Sequence, residues 1–292
     1  MLSVLIPTYN YNTFSLVKEL HQQLILENIN FEILCFDDAS NSELNLENQK
    51  INILPNSTFK SLPQNLGRSA IRNLLAKEAK NKWLLFLDAD VRPKSKDFIK
   101  QYITKFKVTD TVFCGGLLYE DTQQNKQLLR YKFGKKHEAI TVKERRANAE
   151  KYFFTSNFLI EKVVFKSVKF EEKLIKYGRE DLLFSLELVK KGFKIEHITN
   201  EVYHLGLDDN ATFVAKTKKA MENLIFIEKE QLIASENITL LKFVNQLKKV
   251  KLNKTLGKFY TLFERLAINK SSVFYLSCMK VCYLCYLKSS YE

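Results

Sequence analysis

Short, almost continuous apolar runs alternate with stretches of helical spacing through the first half of the chain. Residues 3–7 form the first run, after which Leu16, Val17, Leu20 and Leu24 recur at the spacing of an amphipathic helix. Residues 31–36 are the second run, stopped by Asp37-Asp38-Ala39-Ser40, and 51–55 the third. Helical spacing returns over 66–80. Residues 83–87, Trp-Leu-Leu-Phe-Leu, read as the fourth strand and close on Asp88-Ala89-Asp90. A helix over 94–106 and a fifth strand over 111–119 follow. Strands this uniformly apolar are buried on both faces. The alternation therefore predicts an α/β fold, a Rossmann-like and mostly parallel central sheet with helices on both faces.

Residues 120–152 are polar and charged and read as a loop plus a surface helix. Order resumes at 153–160. A helix over 182–191 is ended by Gly192, and 194–198 and 201–205 read as short strands. From 208 the pattern is helical with no clear strand. Two regions are expected, a catalytic α/β domain over 1–207 and an all-helical region over 208–292.

The polar residues fall at the carboxyl ends of strands, where open α/β sheets bind ligands: Thr8, Tyr9 and Asn10 after the first, Asp37 and Asp38 after the second, Asp88 and Asp90 after the fourth. One such residue usually just ends a strand or caps a helix. Three converging sites favour a ligand. Carboxylates one residue apart at a strand end can share a divalent cation, and their hard oxygens suit Mg²⁺ or Mn²⁺ bound to a nucleotide diphosphate.

Composition narrows the class. Of 292 residues 46% are hydrophobic and 27% charged, which excludes wholesale disorder, and four prolines and eight glycines exclude a collagen-like or hairpin-dense all-β chain. The net charge of +13 calls for an anionic partner. Residues 240–292 hold ten Lys/Arg against Glu264 and Glu292, a net +8, interleaved with aromatic residues. Such basic, aromatic helices suit an anionic membrane interface, or they pack as an ordinary helical subdomain with solvated lysines. Five cysteines, three of them on one helical stripe at 278, 282 and 285, lack zinc-knuckle spacing and fit a reducing compartment. The first residues lack the basic lead and long apolar run of a secretory leader and no run of roughly 20 apolar residues occurs, so neither a leader nor a membrane span is expected. A cytoplasmic location, peripheral on the inner face of the cell membrane, is expected.

The motifs resemble those of family 2 glycosyltransferases with the GT-A fold. Val4-Leu5-Ile6-Pro7-Thr8-Tyr9-Asn10 looks like that family's opening strand, and Phe36-Asp37-Asp38-Ala39-Ser40 like its Val-Asp-Asp-Gly-Ser. Asn65-Leu66-Gly67-Arg68 through Arg72-Asn73 resembles its Asn-x-Gly helix start, Asp88-Ala89-Asp90 its Asp-x-Asp, and Gly178-Arg179-Glu180-Asp181 its Glu-Asp helix head, with Tyr203-His204-Leu205-Gly206 beyond. The resemblance spans roughly residues 1–207. It implies a nucleotide site of Pro7, Thr8, Tyr9, Asp38, Asn65, Arg68 and Asp88. Asp38 would accept the imide N–H of uracil, Arg68 would face the nucleotide's anionic side, and Asp88 would contact the ribose. Asp90 would bind Mn²⁺ or Mg²⁺, with His204 as a second ligand; a core histidine is the plainer reading of His204. Asp181 would be the general base of an inverting transfer, with Glu180 orienting the acceptor or raising the pKa of Asp181. An acidic first helical turn facing the macrodipole also explains Glu180-Asp181, but not the motifs upstream.

Two departures matter. Ala39 replaces the usual glycine, a change the turn tolerates if its φ stays negative. The Gln-x-x-Arg-Trp motif and membrane-spanning helices of processive members are missing, so transfer of a single sugar is expected, as in non-processive bacterial enzymes of cell-surface polysaccharide or glycoconjugate synthesis. The expected partners are a UDP-sugar donor and a glycan or lipid-linked acceptor, and no nucleic acid. A basic α/β nucleic-acid-binding protein leaves Asp88, Asp90 and Asp181 unexplained. A nucleotidyltransferase would want a Gly-rich basic loop where Tyr9-Asn10-Tyr11-Asn12 stands.

Overall fold

In a computed structural model, which describes residues 1–290, the first strand, β1 (Leu2–Thr8), is buried along nearly its whole length. It pairs in parallel with β2 (Phe31–Asp37) on one side and with β4 (Trp83–Leu87) on the other. The remaining strands are β3 (Ser57–Ser61), β5 (Val91–Pro93), β6 (Thr111–Cys114), β7 (Leu117–Leu118), β8 (Asn157–Glu161), β9 (Lys194–His197) and β10 (Val202–His204). Seven of them form one sheet in the order β3-β2-β1-β4-β8-β6-β9, in which β8 alone runs antiparallel to its neighbours. The other three form a small sheet, β5-β10-β7. In the large sheet the strand order reverses between β1 and β4, the switch point at which such sheets open a crevice for ligands.

The fold agrees with the α/β reading and differs from the sequence expectations in detail. The apolar run 51–55 is not a strand: Gln49–Ile53 is a 3₁₀ turn that buries Ile51, and the third strand lies at Ser57–Ser61. That strand is at the sheet edge with only Phe59 buried, so it carries almost no hydrophobic pattern. The expected fifth strand is split at Gly115-Gly116. A Cβ on Gly115 would lie 2.2 Å from the Asn200 carbonyl oxygen, and one on Gly116 2.6 Å from the Arg145 guanidinium. Residues 120–152 hold two helices, Leu129–His137 and Val142–Ala147, the second closed by a Thr141/Glu144 capping box. Ala39 adopts φ +56°, contrary to the negative value expected of a non-glycine residue.

Beneath the carboxyl end of β4 lies a cluster of phenylalanines. Phe86 stacks on Phe158 of β8 at 4.7 Å, and Phe170 stacks on Phe184 of the helix Glu180–Lys190 at 4.2 Å. All four are buried in one core.

The chain divides into two compact units. One comprises Met1–Glu120, Glu138–Ile175 and Glu180–Gly206; the other comprises Asp121–His137, Lys176–Arg179 and the residues from Leu207 onward. The second unit is helical, with Asn210–Lys229, Thr239–Lys249, Asn253–Gly257, Tyr260–Lys270 and Val273–Ser290 as its main elements. Its last helix buries Leu276, Met279, Cys282, Tyr283, Leu284, Cys285 and Leu287. Gly257 lets the helix Asn253–Gly257 approach it: a Cβ there would sit 3.0 Å from the Tyr286 backbone. Tyr283 donates to Glu222 at 2.7 Å, and Lys288 reaches Asn245 at 2.6 Å and Glu228. Of the tail's two acids, Glu292 lies outside the described residues. Among the described residues no helix is long and apolar enough to cross a membrane.

Candidate active site

The nucleotide end of the site is built where β1 and β2 stop. The Thr8 carbonyl accepts the Asp38 N–H at 2.9 Å, tying the two strand ends together, and the Thr8 hydroxyl donates to the Tyr11 carbonyl at 3.4 Å. Pro7 is half-buried opposite Phe36, whereas Tyr9 projects from the strand end at 60% exposure. The two aspartates divide the work of holding the turn. Asp37 accepts from the Ser40 N–H (3.0 Å) and the Asn45 amide (2.9 Å), and its other oxygen is buried without a hydrogen bond. Asp38 accepts the Leu66 N–H at 2.7 Å on one oxygen and the Gly67 N–H at 2.9 Å on the other, while the Asn65 amide donates to its carbonyl at 2.8 Å. Gly67 caps the helix Arg68–Glu78 at φ +87°, a conformation that costs a residue with a Cβ. Asn65 is therefore a clamp on Asp38, and each Asp38 oxygen retains a second lone pair for a ligand donor.

One turn of that helix carries two arginines, and each holds a carboxylate from a different element. Arg68 Nε donates to Glu180 Oε1 at 2.7 Å. Arg72 Nη1 donates to the Arg68 carbonyl at 3.0 Å, and Nη2 to Asp88 Oδ1 at 2.5 Å. Arg72 is 2% exposed and lies over the Phe170 ring, 5.8 Å from its centroid. Burial would raise the pKa of Asp88, but Arg72, then Arg68 and His204, outweigh it and hold the carboxyl below its ordinary range. For Glu180 burial is likewise overcome, by Arg68 and then Arg72. Both acids stay ionised because their counter-charges are fixed before any ligand arrives. The Nε of Arg68, expected to face the nucleotide, is committed to Glu180. Glu180, expected to meet the acceptor, is buried as the anchor of its helix.

Asp181 follows in the first turn of the same helix, and its Oδ1 accepts the Leu182 N–H at 2.8 Å. Phe184, one turn on, seats the helix in the phenylalanine core. Immediately before it Arg179 is strained at φ +81°, after Gly178 at φ +90°, which a glycine adopts freely.

Strand pairing brings Asp90 to His204. Val91 of β5 lies opposite His204 of β10, and the Leu205 N–H donates to the Asp90 carbonyl at 2.8 Å. Asp90 Oδ2 and His204 Nε2 stand 3.6 Å apart, and the Tyr119 ring stacks on the imidazole at 5.7 Å. His204 Nδ1 is buried without a hydrogen bond. Burial, and then the Asp90 charge, push the Tyr11 phenol above its usual pKa. Gly206 leaves room for the carboxylate: a Cβ there would fall 2.2 Å from Asp90 Oδ2.

A divalent cation fits this pair, a hard oxygen and an imidazole nitrogen facing one another beyond hydrogen-bond length. Among the described residues no group of three or more His, Cys, Asp or Glu is placed to hold a metal ion. Any ion here would take its remaining ligands from substrate or water, the habit of Mg²⁺ at phosphates. Asp88 does not share in the pair through Oδ1, which Arg72 occupies.

Sequence reading left four residues of this arrangement without a role: Tyr11, Arg72, Tyr119 and Gly206. Arg72 stands one helical turn after Arg68, a spacing that places both on one face. Gly206 directly follows the His204 motif. Nothing in the pattern marks Tyr11 or Tyr119.

The sheet, with acids at the carboxyl ends of β2 and β4, defines the GT-A class of folds. Residues 3–168 match the sequence pattern of Glycosyl transferase family 2, more than half of the chain. The chain belongs to that family. An uncharacterized glycosyltransferase of Haemophilus influenzae (strain ATCC 51907 / DSM 11121 / KW20 / Rd) is 34% identical over 95 residues, 31% of this chain and 29% of that relative's length. Two solved structures share the fold over 99% of the chain. S. aureus TarS 1-349 in complex with UDP-GlcNAc is 16% identical with 92% of its chain covered and a TM-score of 0.51. The mannosyltransferase PcManGT from Pyrobaculum calidifontis, in complex with GDP-Man and Mn²⁺, is 13% identical with 86% covered and a TM-score of 0.56.

Proposed function

We propose that the protein is an inverting, metal-dependent glycosyltransferase moving one sugar from a nucleotide-sugar, a UDP-sugar, to a hydroxyl of a glycan or lipid-linked acceptor in cell-surface polysaccharide or glycoconjugate synthesis. The observation that carries the reading is the facing pair Asp90 and His204 beside an Asp88 already neutralised by Arg72. Thr8, Tyr9 and Asp38 border the base, with the spare lone pairs of Asp38 available to an imide N–H. Asp88, its orientation fixed by Arg72, meets the ribose. Asp90 and His204 would hold Mn²⁺ or Mg²⁺, which when bound neutralises charge on the diphosphate. Asp181 takes the proton of the acceptor hydroxyl while that oxygen attacks the anomeric carbon from the face opposite the diphosphate, inverting its configuration. Glu180, pinned by Arg68, keeps the head of the helix in place so that Asp181 is held at the start of it. The basic C-terminal region supports a peripheral position on the anionic inner face of the membrane, where a lipid-linked acceptor would be met.

The test is a nucleotide-sugar panel read by thermal shift with and without Mn²⁺, followed by turnover. Asp90→Asn should abolish the Mn²⁺-dependent part of the shift. Asp181→Asn should keep the shift and lose about 10²–10⁴-fold in transfer rate, the usual worth of a general base. Undiminished turnover in Asp181→Asn, or retention of the donor's anomeric configuration in the product, would overturn the assignment.

A further inference from the structure

The last helix, Val273–Ser290, has the sequence most suggestive of lipid contact, yet most of its apolar residues are consumed by packing within the helical unit, with Phe274 and Tyr286 left exposed. A longer run of exposed apolar and basic residues lies earlier, over 242–262. On the helix Thr239–Lys249, Leu241 and Val244 point inward, while Lys242, Phe243, Gln246 and Lys249 are exposed at the spacing of one helical face. The chain then turns through Lys251 at φ +60° and exposes Val250, Leu252, Lys254, Lys258, Phe259 and Leu262 in succession. Phe243, Val250, Leu252, Phe259 and Leu262 are 45–63% exposed. Six lysines fall in this stretch, and no acid occurs between Glu236 and Glu264. Lys288, in the last helix, is paired with Glu228.

We infer that residues 242–262 are the surface by which the helical unit docks on an anionic lipid bilayer. This rests on the peripheral-membrane reading above and adds the face that carries it. The exposed Lys242, Lys249, Lys251 and Lys258, in a stretch whose own sequence holds no acid, complement an anionic leaflet, and each lysine at such a surface is worth about a fivefold factor in partition. Val250, Leu252 and Leu262 favour lipid over the other polyanion such a surface could meet. Aliphatic side chains gain nothing against phosphates, have no π-face on which bases stack, and do gain from the acyl boundary.

The experiment uses the full chain and vesicles of phosphatidylcholine alone or with 30% phosphatidylglycerol, read by co-flotation. The wild type should bind the anionic vesicles and not the neutral ones. K242E/K249E/K251E/K258E should weaken binding at least tenfold. F243S/V250S/L252S/F259S should weaken it with little change in its salt dependence. K77E/K96E/K100E/K107E, which alters net charge equally in the other unit, should stay within twofold of wild type. Matching circular dichroism and turnover of a soluble acceptor would establish that each variant is folded. No binding by the wild type overturns the membrane reading itself. Binding with equal losses in both lysine variants overturns only the assignment to this face. Retention on oligonucleotides tighter than on vesicles makes the partner a nucleic acid and overturns the proposal.

Discussion

At Ala39 the turn after β2 keeps the left-handed conformation, φ +56°, that suits a glycine. A Cβ in that region is crowded by its own carbonyl, a cost of about 1–2 kcal/mol. Ala39→Gly should therefore raise stability by about 0.5–1 kcal/mol, since the relief exceeds the added chain entropy. Thermal unfolding measures it, and an unchanged or lower Tm would show that the turn is not strained. His197 is a second residue with a defined consequence. It is fully buried, accepts from Arg145 Nη1 at 3.2 Å on Nδ1 and donates from Nε2 to the Ala149 carbonyl at 2.9 Å, an arrangement that suits only the neutral ring. Burial, and then the neighbouring arginines, lower its pKa to about 4. Between pH 6.5 and 4 the unfolded chain binds the proton that the folded chain refuses, so stability falls as pH falls through that window, by up to about 3 kcal/mol. The depressed pKa values of Asp88 and Glu180 act lower, below about pH 4, where their protonation begins to cost the ion pairs. His197→Gln can keep both hydrogen bonds without titrating, and its Tm should change less between pH 6.5 and 4.5 than that of the wild type.

Elements, rather than single residues, assemble the candidate metal pair. Asp90 and His204 are 114 positions apart in sequence, and they meet because the three-residue strands β5 and β10 pair antiparallel. Strands that short leave no periodicity to read, which is why β5 is invisible in the sequence although the Asp-x-Asp before it is plain. The same pairing makes Gly206 critical, for the Leu205 N–H is bonded to the Asp90 backbone and holds the next residue against the carboxylate. Gly206→Ala should displace Asp90, weaken Mn²⁺ binding at least tenfold by calorimetry, and cost about 1–3 kcal/mol of stability as overpacking. Wild-type Mn²⁺ affinity in that variant would mean that the carboxylate is not a ligand where it now stands. Arg72 makes the complementary point. Its motif is legible, but its role as the partner of Asp88 depends on the helix Arg68–Glu78 passing the end of β4, which only packing decides.

For the whole molecule, the helical unit depends on Val273–Ser290 as its buried centre. Leu284, fully buried there, is a position where truncation leaves a cavity. Leu284→Ala should cost about 2–5 kcal/mol and open residues beyond 207 to limited proteolysis well below the wild-type melting temperature. Resistance equal to wild type would mean that this helix is dispensable. Removing everything after residue 240 would delete this centre together with the basic face, and so could not separate folding from docking. Point changes over 242–262 can.

The order of strands and helices, the acids at strand ends and the family motifs follow from the sequence alone. Apolar runs must be buried on both faces, and a turn that binds a ligand is marked by residue types that strands and helices avoid. Tertiary structure decided the pairings and the exposures: that Arg68 and Arg72 neutralise Glu180 and Asp88, that Asp90 faces His204 across a gap Gly206 leaves open, and that the reversed strand β8 lies between β4 and β6. It also decided which lysines and apolar side chains of 242–262 remain exposed. Those outcomes depend on contacts between residues distant in the chain, and hydrophobic periodicity, a local property, carries no record of them.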